Sequence, residues 1–212
     1  MFDPAGNVIR TVTLGGNDLN DIHFDPQSGN LFVGSWASQT VGKLYRFDIN
    51  GGGSKSLIAT LAGISGITGD ALGNIYVVQV NAGIVSKVTP SGDVTTYATG
   101  LNNPDGIAFG PDGKLYVGSR TGQVKVVPAG GGAAANFATL SPSIMRIGAD
   151  GNGNVYALNA DLHTISKISP GGAVSAFGSG FSRPHGVVFN ASGDMFISNI
   201  NGDVIHKVAG VG

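Results

Sequence analysis

The sequence predicts an all-β protein: a five-bladed β-propeller of four-stranded antiparallel blades, its ring closed by the N-terminal strand. Three observations predict this fold. A unit of about 40 residues recurs along the chain, the same turn chemistry sits at the same place in each copy, and the last copy lacks a strand that is present at the start of the chain.

The clearest unit reads Gly-polar-apolar-aromatic-apolar: GNLFVGS from Gly29, GNIYVVQ from Gly73, GKLYVGS from Gly113, GNVYALN from Gly153 and GDMFISN from Gly193. The anchor glycines are therefore 44, 40, 40 and 40 residues apart. Upstream of each lies another short strand, NDIHFDP, SGITGDA, DGIAFGP, MRIGADG or HGVVFNA. The turns between them (DPQSGN, DALGN, PDGK, DGNGN, ASGD) place Gly where a tight hairpin needs positive φ. Third strands follow as KLYRFDI, IVSKVTP, QVKVVPA, TISKISP and DVIHKVA, and fourth strands as SLIATL, VTTYATGL, ANFATL and VSAFGSGF. The 36 glycines, and alternating apolar runs without a 3.6-residue period, agree with many short strands.

The fifth copy stops after its third strand, near Val208. The segment Phe2–Leu14, FDPAGNVIRTVTL, reads like the join between third and fourth strands elsewhere, as in VTPSGDVTTYATGL. Pairing the two ends would remove both unpaired edges. The expectation is one domain over residues 1–212, with residues 2–14 completing the last blade at 182–208, and a monomer. A β-solenoid has no use for such a permuted strand. An open or swapped assembly derived from a larger propeller is the competing architecture.

Composition narrows function by exclusion. The net charge is −1 with no basic run, which disfavours nucleic acid. No apolar run is long enough for membrane insertion. There is no Cys, so disulfides, thiolate metal sites and a Cys nucleophile are all excluded. The N-terminus has no signal-peptide architecture. A low-charge, Gly/Asn/Ser/Thr-rich make-up resembles that of exported bacterial proteins, so a soluble protein exported with removal of a leader is one expectation. All 13 acidic residues are Asp; Glu is absent.

The stretches PDGIAFGPDGKLYVGS and RPHGVVFNASGDMFISN resemble the blades of NHL-repeat propellers, and are similar to those of gluconolactonase-type and streptogramin-lyase-type propellers. The resemblance covers the whole chain and implies the blade fold. Five blades depart from the six or seven usual in that group. It also implies a lactonase or lyase activity, but the gluconolactonase-type metal set includes a Glu, and the lyase-type site has a Glu beside its His. Furanosidase-type five-bladed enzymes likewise use a Glu as general acid. No residue here can be that Glu.

Equivalent positions at one end of the innermost strands converge on the channel mouth. They are Asn20, Ser65, Asp105, Met145 and His185, followed by Asp21, Gly66, Gly106, Arg146 and Gly186. The second strands end at Ser35, Gln79, Ser119, Asn159 and Asn199, followed by Trp36, Val80, Arg120, Ala160 and Ile200. The candidate ligand-binding set is Asn20, Asp21, Ser65, Asp105, Arg146, His185, Trp36 and Arg120. His185 and Asp105 form the candidate catalytic pair, since a carboxylate can orient an imidazole and raise its basicity. Asp21 and Asp105 are candidate ligands for a divalent cation such as Ca2+, with Asn20, Ser65 and water supplying further oxygens. The alternative for each is a polar residue wetting a channel mouth.

Other motifs read as structure. DGNGN from Asp150 lacks the Gly at the sixth position of a calcium loop, where Val155 stands, and matches the hairpin turns. Arg46, Lys87, Lys167 and Lys207 share a third-strand position that suits a solvated face. His163 and His206 fall away from the channel, and the sequon at Asn190 lies in a repeated turn. The first functional expectation is a non-catalytic binding or scaffold module engaging a protein, small molecule or glycan at one face of the channel. The second is a metal-dependent lyase or lactonase, and the third a lectin with similar pockets in several blades.

Overall fold

A computed structural model describes residues 18–36, 41–49 and 54–211. Five antiparallel β-meanders follow one another as the blades of a propeller. Blade 1 comprises β1 (Asp18–Asp25), β2 (Asn30–Trp36), β3 (Gly42–Asp48) and β4 (Lys55–Leu61). Blade 2 comprises β5 (Ile64–Gly69), β6 (Ile75–Gln79), β7 (Ile84–Val88) and β8 (Val94–Thr99). In blade 3, β9 (Pro104–Phe109), β10 (Leu115–Ser119) and β11 (Gln123–Val127) are followed by the two-residue β12 (Gly132–Ala133) and then β13 (Ala135–Thr139). Blade 4 holds β14 (Ile144–Ala149), β15 (Val155–Asn159), β16 (Thr164–Ile168) and β17 (Val174–Phe177). Blade 5 holds β18 (Pro184–Phe189), β19 (Met195–Asn199) and β20 (Ile205–Val208). The expected closing strand at Phe2–Leu14 lies outside the described residues, among which the last sheet has three strands.

One element departs from the four-strand expectation. β12 leaves blade 3 and pairs in parallel with the outer edge of blade 2, Gly132 beside Ala98 and Ala133 beside Thr99. The run Gly130–Gly131–Gly132 makes this crossing, with φ of 92°, 95° and 115°, a region that residues with a Cβ rarely adopt. A Cβ on Gly131 would also lie 2.5 Å from the Tyr97 carbonyl oxygen. An apolar repeat pattern carries no sign of such an exchange.

The core is a set of seams, each made by the outgoing face of one blade and the incoming face of the next. Phe32 and Leu44 of blade 1 pack with Ile67 and Val77 of blade 2. Tyr76 and Val85 of blade 2 pack with Ile107 and Val117 of blade 3, and Tyr116 and Val124 of blade 3 with Ile147 and Ala157 of blade 4. Tyr156 and Ile165 of blade 4 close on Met195 and Ile197 of blade 5. Aromatic edges finish these seams: Phe109 meets Tyr76 at 4.8 Å and Phe189 meets Tyr156 at 5.5 Å between centroids.

The hairpin turns behave as the spacing predicts. Asp150, almost fully buried, accepts the backbone N–H groups of Asn152 and Asn154, the Asn154 amide and the Tyr156 hydroxyl. Asp70 does the same with Leu72, Asn74 and Tyr76. DGNGN is thus an Asx turn latched to a core tyrosine, with its carboxylate occupied by local donors. His206 sets its ring edge-on to Phe181 at 5.6 Å, and His163 Nδ1 accepts the Arg183 N–H at 3.0 Å. Both are packing and loop-pinning residues.

Candidate functional site

All five residues of the expected mouth ring sit at a register break in the innermost strand. In blade 1, Leu19 pairs with Ser35 and Asp21 with Gly34, leaving Asn20 as the extra residue. The breaks at Ile64/Ile67 in β5 and between Pro104 and Ile107 in β9 contain Ser65 and Asp105. Those at Ile144/Arg146 and Pro184/Gly186 leave Met145 and His185 unpaired. A bulge of this kind bends the strand and re-aims a side chain. Here it does so once per blade, at the rim of the channel.

The glycines beside the bulges let neighbouring strands approach. A Cβ on Gly66 would lie 2.4 Å from the Asp105 carbonyl oxygen, and one on Gly106 would lie 2.6 Å from Arg146 Cα. Arg146 occupies the same position in blade 4, and its long side chain runs into the channel instead.

Asp105, 1% exposed, is the hub. Arg146 Nη1 donates to its Oδ1 at 2.9 Å, Arg120 Nε to its Oδ2 at 2.7 Å, and the Ser65 hydroxyl also donates to Oδ1. Arg146 continues through Nη1 to the Met145 carbonyl and through Nη2 to the Asn20 carbonyl, both at 2.9 Å. That last bond braces blade 4 to blade 1. The Asn20 amide donates to the Ile64 carbonyl at 3.0 Å, and Asp21 Oδ2 accepts the Ile67 N–H at 2.8 Å. Asn20, Asp21, Ser65, Asp105, Arg120 and Arg146 thus come together. A buried ion pair of this quality is tolerated because its polar atoms are partnered.

The two guanidinium groups decide the fit to a cation. Both Asp105 oxygens accept from positively charged donors, and both Asp21 oxygens accept backbone N–H groups, from Ile67 and Ile22. Among the described residues no three His, Asp, Glu or Cys side chains form a metal-binding group. A divalent ion between Asp21 and Asp105 would lie against Arg146, so these residues do not fit one. Loss of solvent is the largest effect on Asp21 and raises its pKa, against the opposing pull of Arg146 and its two backbone hydrogen bonds.

His185 stands outside the bonded network but within its field. Burial lowers its pKa most, and Arg146, Arg183 and Arg120 lower it further against the opposing charge of Asp105. These effects favour the neutral imidazole. Asp105 acts on it through space, and its hydrogen bonds go to the arginines and Ser65. Trp36 ends β2 half-buried and takes no part in the network described above. Arg183 is the residue that ring alignment misses: it is exposed, two residues before His185, with φ of 54°. Ser119, Asn159 and Asn199, named with the ring, instead pin the loops leading into the innermost strands, through Asn102 O, Pro142 O and the Ser182 N–H.

No family model and no curated protein sequence matches the chain. Solved structures do match in fold. Virginiamycin B lyase from Staphylococcus aureus superposes with a TM-score of 0.73 at 15% identity, over 92% of this chain and 68% of that one. A streptogramin B lyase gives 0.75 at 15% identity, over 95% and 68%. A gluconolactonase from Xanthomonas campestris gives 0.61 at 14% identity, over 87% and 84%. The chain is similar in fold to streptogramin-lyase-type and gluconolactonase-type propellers.

Proposed function

We propose that the protein is a non-catalytic binding module that takes a small oxyanion-bearing ligand, a carboxylate or a phosphate, at the channel mouth. The observation that carries this reading is Arg120. Its Nε is tied to buried Asp105 while its side chain stays 47% exposed, so a rigidly based guanidinium faces solvent. Arg146, Arg183 and His185 surround the same mouth in a chain whose net charge is only −1. A guanidinium fork matches planar oxyanions, and pre-organisation lowers the cost of ordering it. The five rim residues differ from one another, which argues against the equal pockets of a lectin.

Calorimetric titration with sulfate, phosphate and citrate tests this. One saturable site is expected, weakened about 10–100-fold in Arg120→Ala, as loss of a charged hydrogen bond implies. It should be unchanged in Lys114→Ala, whose ion pair with Asp112 lies at the opposite ends of the strands. Binding indifferent to Arg120, or no binding at millimolar anion, rejects the reading.

A second reading has its own support. A neutral imidazole is the form a general base requires, and the fold is shared with a lyase and a gluconolactonase. If His185 is such a base, His185→Ala abolishes a turnover that Arg120→Ala merely weakens.

A further inference from the structure

The repeat supplies its own internal controls for burial. On incoming faces, Ile67, Ile107 and Ile147 are 5%, 7% and 5% exposed. Their counterpart in blade 1, Ile22, is 60% exposed. On outgoing faces, Leu44, Val85, Val124 and Ile165 are at most 1% exposed, yet their counterpart in blade 5, Ile205, is 70% exposed. The correspondence is fixed by register, since each pairs with the same second-strand position: Gly34, Val78, Gly118, Leu158 and Ser198. Phe24 is 52% exposed, whereas Phe109 and Phe189 at the same position pack edge-on and tilted, respectively, against the tyrosine of the preceding blade.

Among the described residues, blade 1 and blade 5 therefore carry the two halves of a fifth seam, on which Ile22, Phe24 and Ile205 face solvent. The five blades follow 68% of the length of a longer lyase propeller with a TM-score of 0.75. Four seams within the chain specify what covers such a face, namely the opposite flank of a blade of the same sequence type.

We infer that the chain self-associates head to tail, the blade 5 flank of one copy receiving Ile22 and Phe24 of the next. Phe24 then meets Phe196 as Phe189 meets Tyr156 within the chain. Burying exposed Ile and Phe side chains supplies the driving force. The contact is heterologous, so each added copy leaves a free flank, and assembly proceeds to a closed ring of copies or an open chain.

Sedimentation velocity and light scattering on the full chain from about 1 to 200 µM test this. The expected result is a mass that rises with concentration above the 21.3 kDa of one chain. Ile22→Asp and Ile205→Asp should each abolish the rise. Mixing the two variants should restore association and stop it at two chains, because one intact flank of each kind remains. A wild-type mass fixed at one chain across this range overturns the proposal and assigns the two flanks to closure of the chain on itself. Association that survives both substitutions overturns it as well. Both positions are exposed in the single chain, so the substitutions leave its core intact, which circular dichroism of each variant checks.

Discussion

Asp105→Ala lowers stability by about 3–5 kcal/mol, the usual cost of removing one partner from a buried ion pair. The loss is large because Arg146, whose side chain is 9% exposed, remains in the channel with no carboxylate opposite it. The Ser65 hydroxyl loses its acceptor in the same step. For a chain of this length the midpoint of thermal unfolding falls by roughly 6–20 °C. Asp105→Asn keeps the shape and loses the charge, so it falls between wild type and Asp105→Ala. Joint replacement by Asp105→Leu and Arg146→Met removes both charges, and costs less than the sum of the single changes. Urea unfolding measures all of these. A loss below about 1 kcal/mol in Asp105→Ala would mean that the hub is not holding the innermost strands together.

Gly106→Ala is the second large effect. The added methyl would sit 2.6 Å from Arg146 Cα and 2.7 Å from the Ile147 nitrogen. Both are backbone atoms of the next blade, so relief requires moving a whole strand and, with it, the donors that Arg146 brings to Asp105. The expected loss is at or above the upper end of the roughly 1–3 kcal/mol typical of overpacking. Gly151→Ala is the control, since a Cβ there meets nothing within 4 Å. Its effect should stay within about 0.5 kcal/mol. Equal unfolding midpoints for the two variants would contradict the close approach of strands at Gly106.

Blade number and strand order are legible in the sequence because the 40-residue spacing, the turn glycines and the alternating apolar residues all repeat. The same spacing groups Asn20, Ser65, Asp105, Met145 and His185. What it cannot convey is the bulge at each of them, which depends on how two strands pair and leaves no mark in residue type. Ring membership also does not reveal reach. Arg146 aligns with Gly66, Gly106 and Gly186, and only the three-dimensional arrangement shows its side chain bonding to Asp105 and to the Asn20 carbonyl. Those bonds engage both oxygens of Asp105, which charge alone marks as a candidate cation ligand. Arg183 lies in the loop before β18, outside the aligned positions, so the repeat spacing does not mark it. Ile22 and Ile205 look like their buried counterparts, so their exposure has no signature in sequence.

If the channel mouth is the guanidinium-rich oxyanion site proposed above, His185, whose pKa is lowered by burial and by Arg146, Arg183 and Arg120, reports on its occupancy. An imidazole whose pKa is depressed gains its proton only as pH falls through that lowered value, and the proton adds positive charge at the mouth. Anion binding must therefore raise the pKa of His185, and by linkage affinity must rise as pH falls through it. The direct measurement is an NMR titration of the His185 ring from pH 4 to 8, without sulfate and at saturating sulfate. The predicted result is a pKa below about 6.5 in the free protein, displaced upward by sulfate, with the displacement lost in Arg120→Ala. An ordinary histidine pKa that sulfate leaves in place would contradict it.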